Sequence, residues 1–273
     1  MLNGDNVCGC KGIRTCLLCE QLRPNGKPDS EVCRKPFSFC IDCGKAWPKG
    51  DNSKAHPEHE GESFKFDGVH IIRDFVSAEE EEEICHVIEQ TPFVQSQSGR
   101  RKQDYGPKVN FKRKKVKLAN FTGLPAFSEV LFERMKRTSI LKDFIPVELC
   151  NLDYNPDRGS AIDPHFDDFW IWGDRLVTLN LLSDSILSMT NEEQPHVEIQ
   201  LPLLRRSLIV IFGPARQQWK HAIHRKHITS RRLAVTLREL SREFLPGGSG
   251  EEIGAELCKI ALTFSGTAVG SPP

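Results

Sequence analysis

Between residues 147 and 240 the chain alternates apolar and polar positions in short runs, with polar turns between them. The runs fall at 147–154, 165–171, 175–182, 185–189, 196–201, 207–212, 219–224 and 232–239. A period of two in short, closely spaced segments predicts strands, and no helical period intervenes, so an all-β core is expected, a double-sheet jelly roll or barrel. Upstream, Val69-His70-Ile71-Ile72 reads as one further strand. Ser77-Ala78-Glu79-Glu80 has the form of a capping box, and the helix it opens runs through Ile84, Val87 and Ile88 to near Pro92. Acids in a first turn suit the helix dipole, so the acidic run Glu79 to Glu83 needs no outside partner. A helix over 128–142 should turn Val130, Leu131, Met135 and Leu141 inward, and another over 251–262 carries Ile253, Leu257, Ile260 and Ala261. The fold class is mainly β with flanking helices.

Residues 1–65 break this pattern. They hold seven of the ten cysteines (Cys8, Cys10, Cys16, Cys19, Cys33, Cys40 and Cys43) among Gly, Pro, Lys and Asp, with too little apolar periodicity to bury a core. Cys8, Cys10, Cys16 and Cys19 lie within twelve residues, with Gly9 and Gly12 to let the chain turn, and four thiolates close a tetrahedral zinc site. Cys40-x-x-Cys43 either begins a second half-site, with or without Cys33, or replaces the Cys8/Cys10 pair in a single one. Inert thiols in a tail are the alternative.

Charge and composition narrow the setting. Lys+Arg and Asp+Glu both number 37 in 273 residues, so net charge names no partner, but Arg100 to Lys117 is strongly basic and interleaved with Tyr105 and Phe111. Such a segment suits a nucleic-acid backbone, or is a solvated or nuclear-import patch. No apolar stretch reaches the roughly 18 to 20 residues of a membrane span. A start without an apolar signal region predicts an intracellular protein, in which cysteines serve as thiols and metal ligands rather than disulfides.

The chemistry begins at His165-Phe166-Asp167. A histidine and a carboxylate two apart in extended backbone face the same way and offer two adjacent metal ligands. His221 is placed to supply a third, and two His with one carboxylate form the facial triad of non-haem Fe(II) oxygenases. His224 and His227 compete for that role on spacing alone. A hydrogen-bonded His–Asp pair with no metal is the plainer reading. Further on, alternation in Arg232-Leu233-Ala234-Val235-Thr236-Leu237-Arg238 puts both arginines on one face of a strand. Guanidinium groups inside a β core need anions, either paired acidic side chains or a dicarboxylate co-substrate gripped by two hydrogen bonds.

With these pieces the sequence resembles the AlkB family of Fe(II)/2-oxoglutarate dioxygenases over roughly residues 66–240. The resemblance rests on Arg100-Arg101-Lys102-Gln103-Asp104-Tyr105-Gly106, Tyr154-x-Pro156, His165-x-Asp167, Gly213-x-Ala215-Arg216-x-x-Trp219-x-His221-x-Ile223 and Arg232 to Arg238. The run Cys8 to Cys16 and the stretch Arg100 to Phe111 look like the fourth animal branch of that family. The resemblance implies a double-stranded β-helix (jelly-roll) core, with His165, Asp167 and His221 as iron ligands. It gives Tyr154 and Arg232 to the distal carboxylate of 2-oxoglutarate and Arg238 to the end nearer the metal. Tyr105, Phe169, Trp170 and Arg101 are the substrate-side candidates, with Trp172 beside them. Three positions depart from the family pattern: Leu152 where Asn is usual (Asn151 would face the wrong way), Ala234 where the founding bacterial member has Asn, and Phe169 where that member has a base-contacting Asp.

The implied reaction is oxidative N-demethylation, with 2-oxoglutarate going to succinate and the methyl group leaving as formaldehyde. The branch implies methylated lysine on a protein, actin or actomyosin components, as substrate, with N6-methyladenine in DNA also proposed for it. Other nucleic-acid dealkylation and a non-catalytic, zinc-stabilised scaffold are the alternatives. The expected organisation is a Cys-rich zinc segment at 1–65, a dioxygenase domain at 66–265 and a flexible tail at 266–273, in a protein of cytoplasm and nucleus with Fe(II), 2-oxoglutarate and Zn(II) as cofactors.

Overall fold

A computed structural model describes residues 9–10, 16–22, 34–50 and 54–269. Two seven-stranded sheets dominate it, antiparallel throughout except for one parallel pair. The first sheet runs in the order Ile162–His165, Lys220–Ile223, Ser185–Thr190, Val197–Leu203, Lys35–Phe39, Lys45–Pro48 and Phe64–Lys65. The second runs Val69–Ile72, Leu208–Ile211, Trp172–Leu181, Arg232–Leu240, Pro146–Tyr154, Arg101–Tyr105 and Val94–Gln95. A separate hairpin, Lys108–Asn110 with Lys115–Lys117, stands beside them.

Strand alternation gives the second sheet two apolar faces. Leu149, Leu179, Leu181, Leu233, Val235 and Leu237 point outward to the helices, in a cluster with Ile84, Ile88, Leu131, Met135 and Leu257. Tyr154, Leu176, Ile209, Ile211 and Ala234 point the other way, and meet Met189, Ile199, Leu201, Leu203 and Ile223 of the first sheet. The order is therefore sheet, inner core, sheet, outer core, helices. Burying both faces explains why the central strands carry so few charges, and why the exceptions matter.

The helix Ala78–Glu89 opens at the capping box read from the sequence: Ser77 Oγ accepts from the Glu80 N–H, and the Glu80 carboxylate accepts from the Ser77 N–H. The acidic run is used internally. Glu80 pairs with Arg134, while buried Glu81 accepts from the Leu182 N–H and from Arg205.

Several expectations are corrected. The sheet does not stop at residue 65. Lys35–Phe39 pairs in parallel with Val197–Leu203, so the second half of the Cys-rich segment extends the first sheet, with Phe39 and Ala46 buried in the inner core. Its short strands were hidden by their polar residues, because an edge hairpin needs only one or two apolar positions. The 128–142 helix is two pieces, Phe127–Met135 and the 3-10 turn Ser139–Leu141, broken where Thr138 is extended. Its buried face is Ser128, Leu131, Phe132 and Met135, which leaves Val130 out in solvent. The strand expected at 165–171 is Ile162–His165 instead, so Asp167 sits in the loop that follows. In the expected tail, Ala268 is buried and the Val269 N–H donates to the Asp104 carbonyl, which fixes 266–269; residues 270–273 lie outside the described part.

Among the described residues no helix is long and apolar enough to cross a membrane.

Candidate active site

His165 ends its strand directly opposite His221 on Lys220–Ile223, and the two rings lie 4.3 Å apart between centroids. The loop after His165 turns Asp167 back beneath them, so that its Oδ1 lies 3.6 Å from His165 Nε2. One ligand atom from each of the three lies within 4.8 Å of the others. His165 Nδ1 meets the Asp163 carbonyl at 2.8 Å, which places the proton on Nδ1 and frees Nε2 toward the cluster. Burial, with the neighbouring His165, pushes His221 down to about 3, so its imidazole is neutral at physiological pH. Burial alone raises the Asp167 carboxyl, but Arg238 and the two imidazoles outweigh it and hold it well below the carboxylate range. Two imidazoles and an ionised carboxylate converging from one side fit a divalent iron with open positions opposite. His224 and His227 go elsewhere: they pack edge to face, with His224 Nε2 3.8 Å from Glu198.

Beside the triad, between the two sheets, lies a cavity. Leu152, Tyr154, Thr178, Leu187, Leu203, Arg232, Ala234, Thr236 and Arg238 are among its walls, with His165, Asp167 and His221 at one end. Arg232 and Arg238 share that inner face, as alternation required, but their surroundings differ. Arg238 donates to Asp167 Oδ2 at 2.8 Å and is also paired with Glu148, so protein carboxylates already answer its charge. Arg232 is 2% exposed and forms no ion pair among the described residues. Its Nε donates to Asn180 Oδ1 at 2.5 Å, and its guanidinium lies 4.8 Å from the Tyr154 ring centroid. Burial pushes its pKa below the ordinary value. A buried guanidinium without an anion, facing a cavity, calls for a carboxylate from a ligand. Where the family pattern has Asn, Leu152 lines the cavity; Asn151 faces away and donates to Gln103 Oε1.

The substrate-side candidates divide. Phe169 is 48% exposed, at the rim, with its ring over the Arg216 guanidinium at 4.0 Å and next to Phe166. Tyr105, by contrast, is 4% exposed and belongs to the outer core, on the far face of the second sheet. Trp170 packs on Phe244 and the outer core, and Trp172 is buried there too. Arg101 is taken by Asp153, with Nε and Nη2 at 2.8 and 2.6 Å from one carboxylate oxygen. Tyr105 and Arg101, offered for the substrate side with the resemblance, lie instead in the outer core and against Asp153, because a strand in the second sheet has two buried faces and only one meets the cavity. Asn180, Glu148 and Arg216 escaped the sequence reading. Only Arg216, inside a quoted motif, left a signal there; its Nη2 donates to the Asp167 carbonyl at 2.9 Å.

Near the N-terminus, Cys10, Cys16 and Cys19 converge within 4.8 Å as a second group, while Cys8 and Cys33 lie outside the described residues. The Ser98 N–H donates to Cys10 Sγ at 3.2 Å. The short helix that follows packs on the turn leading to His165: a Cβ on Gly159, whose φ is +59°, would meet Leu17 Cγ at 2.5 Å. Arg225, four residues past His221, ties to that turn through the Gly159 carbonyl and to the helix through Glu20. The thiol cluster thus buttresses both segments that carry the imidazoles.

No family model matches the chain. Among curated proteins it is 47% identical over 96% of both chains to the mouse "Alpha-ketoglutarate-dependent dioxygenase alkB homolog 4". It is 48% identical to the human protein of the same name, over 96% of this chain and 95% of that one. It is also 38% identical to a Caenorhabditis elegans "DNA N6-methyl adenine demethylase", over 95% and 96%. Similarity of this extent, joined to a His-Asp-His cluster beside a cavity lined by a buried arginine, has one meaning: the chain belongs to the AlkB family of 2-oxoglutarate-dependent dioxygenases.

Proposed function

We propose that this enzyme oxidatively removes methyl groups from nitrogen, and that its substrate is methylated lysine on a protein, actin being the candidate implied by the resemblance to the fourth animal branch. The observation that carries the lysine reading is the rim of the site. There the segment 163–169 carries Phe166 and the exposed ring of Phe169, in contact with each other, together with the exposed carboxylates Asp163 and Asp168. Aromatic faces and carboxylates favour a methylated ammonium ion over a neutral base.

In this reading His165, Asp167 and His221 hold Fe(II), and 2-oxoglutarate lies in the cavity with its distal carboxylate on Arg232 and Tyr154. Arg238 acts through Asp167, orienting the carboxylate and keeping it ionised. Iron with 2-oxoglutarate and O₂ supplies the oxidising power; the chain contributes position and an apolar lining that keeps water from the reacting carbon. Leu187, Leu203 and Ile223 form that lining. Cys10, Cys16 and Cys19, with Cys8 as fourth ligand, take a structural zinc.

A second reading is N6-methyladenine in DNA, supported by the name of the nematode relative and by the hairpin Lys108–Lys117. A third of the basic residues in this stretch are spent inside the fold, since Arg100 is buried against Tyr154, Arg101 holds Asp153 and Lys102 pairs with Asp104. What remains free for a phosphate backbone is the hairpin, where Lys108, Lys112, Arg113, Lys114, Lys115 and Lys117 are all exposed. Either substrate suits a protein of cytoplasm and nucleus.

The test is formaldehyde release from a methyl-lysine peptide and from N6-methylated DNA, across a salt series. Turnover of the peptide with little salt dependence supports the lysine reading. Activity confined to DNA and falling steeply with salt refutes it and assigns the hairpin to phosphates. Absence of iron and of 2-oxoglutarate turnover, in wild type as in His165→Ala, would leave a scaffold.

A further inference from the structure

Away from the dioxygenase site, Cys40, Cys43, His56 and His59 bring one ligand atom each to within 4.8 Å of one another. The group is built at the hairpin of the first sheet. Cys40 follows the Lys35–Phe39 strand, the chain turns, and Lys45–Pro48 returns antiparallel. Gly44 takes a left-handed φ of +67°, which a side chain would resist, and lets its N–H reach the Cys40 carbonyl at 2.9 Å. The turn aims donors at both sulfurs. The N–H groups of Asp42 and Cys43 point to Cys40 Sγ, the Lys45 N–H points to Cys43 Sγ, and Trp47 Nε1–H donates to Cys43 Sγ at 3.3 Å. Asp42 is not a ligand, since both of its oxygens are held by Arg73 at 2.8 and 3.0 Å.

His59 gives the second, independent sign. Its Nδ1 meets the Lys54 carbonyl at 2.9 Å, which puts the proton there, and its ring stacks on Trp47 at 4.6 Å. Its Nε2 is then a bare lone pair, buried and without a hydrogen-bond partner among the described residues. A buried acceptor left alone is costly, and a histidine with a backbone carbonyl on one nitrogen and the other free is arranged as metal ligands are. In sequence the four read Cys-x₂-Cys-x₁₂-His-x₂-His, close to the spacings of zinc modules.

We propose that Cys40, Cys43, His56 and His59 bind one Zn²⁺ in a closed tetrahedral site, distinct from the iron triad and from the Cys10, Cys16 and Cys19 group. Binding takes both thiols to thiolates and releases two protons to solvent; no electron moves. Two sulfurs and two imidazoles leave no open position, so the role is structural. The ion pins a three-strand extension that has little apolar surface of its own, and through the parallel pair Lys35–Phe39 with Val197–Leu203 it braces the sheet that carries His165 and His221.

The test uses the full chain and does not depend on activity. Metal content is measured for wild type, Cys43→Ser, His56→Ala and Cys16→Ser, with zinc competed by a chelator. Cys43→Ser should lose one zinc per chain with iron retained. His56 is exposed, so His56→Ala should keep the fold and release the same zinc at roughly tenfold or more lower chelator concentration. In Cys16→Ser, X-ray absorption of the remaining zinc should find two sulfurs near ~2.3 Å and two nitrogens near ~2.0 Å. Unchanged zinc content and chelator resistance in both Cys43→Ser and His56→Ala would overturn the site. So would a Cys40–Cys43 disulfide in the freshly purified wild type.

Discussion

Replacing Arg232 by Met separates a co-substrate arginine from a structural one, because the two predict opposite effects on the folded protein. Arg232 is 2% exposed, donates to Asn180, lies over the Tyr154 ring and has no carboxylate partner among the described residues. Removing it from the apoprotein deletes an uncompensated buried charge and leaves one amide oxygen without a donor. The second costs about 1 kcal/mol, and relief of the first offsets it, so apo stability should move by no more than about 1 kcal/mol. Co-substrate binding should collapse instead. A carboxylate that loses its charged, bidentate partner in a buried site loses about 2–4 kcal/mol, or roughly 30- to 700-fold in affinity. Thermal unfolding with added 2-oxoglutarate reads both quantities. At a concentration 100 times the wild-type Kd the wild type gains about 2.7 kcal/mol, and a variant weakened 100-fold gains only about 0.4. An Arg232→Met protein whose apo form unfolds many degrees lower, while its 2-oxoglutarate affinity is unchanged, would refute the reasoning.

Further consequences follow from the same packing. Asp153, with no exposed side-chain surface, accepts from Arg101, Arg158 and Arg231, so Asp153→Asn should cost about 3–5 kcal/mol, measured by denaturant unfolding. Burial raises its carboxyl, but Arg231 and Arg101 outweigh that and hold it below the ordinary value. Its contribution is therefore full above the unfolded-state pKa of about 3.9 and lost as pH falls toward the folded one. An acid-unfolding profile should show that loss in wild type and not in Asp153→Asn. Leu179 is fully buried between the second sheet and the helices, and Leu179→Ala should cost about 2–5 kcal/mol without changing which metals the chain binds. Ser77→Ala removes the acceptor for the Glu80 N–H and should cost about 1 kcal/mol, seen as a small drop in the unfolding midpoint.

The metal cluster was legible because its signals are local and redundant. His165-x-Asp167 sets two ligands within one turn of chain, and the quoted motif around His221 picks it over His224 and His227. The arginine face was legible because period-two alternation is a property of any strand. That rule could not place Tyr105 and Arg101, since in a sheet buried on both sides alternation yields two faces and only the partner layers tell them apart. It failed at 35–65, where Phe39 and Ala46 are too few to announce a hairpin. His56 and His59 stood at near-zinc spacing from Cys43 and were passed over beside the denser cysteines upstream.

By itself the sequence determined the element types of the core, the capping of the Ala78–Glu89 helix, the triad and the pair of arginines on one strand face, all matters of spacing along the chain. Tertiary structure alone decided which arginine lacks an anion. That depends on Asp167 from a loop and Glu148 from a neighbouring strand converging on Arg238 while Asn180, a neutral amide, meets Arg232. It also decided that Arg101 and Tyr105 serve the scaffold, and that the second cysteine pair finds its partners in two histidines across a hairpin. Such assignments turn on distances between segments far apart in the chain, which a linear pattern does not carry.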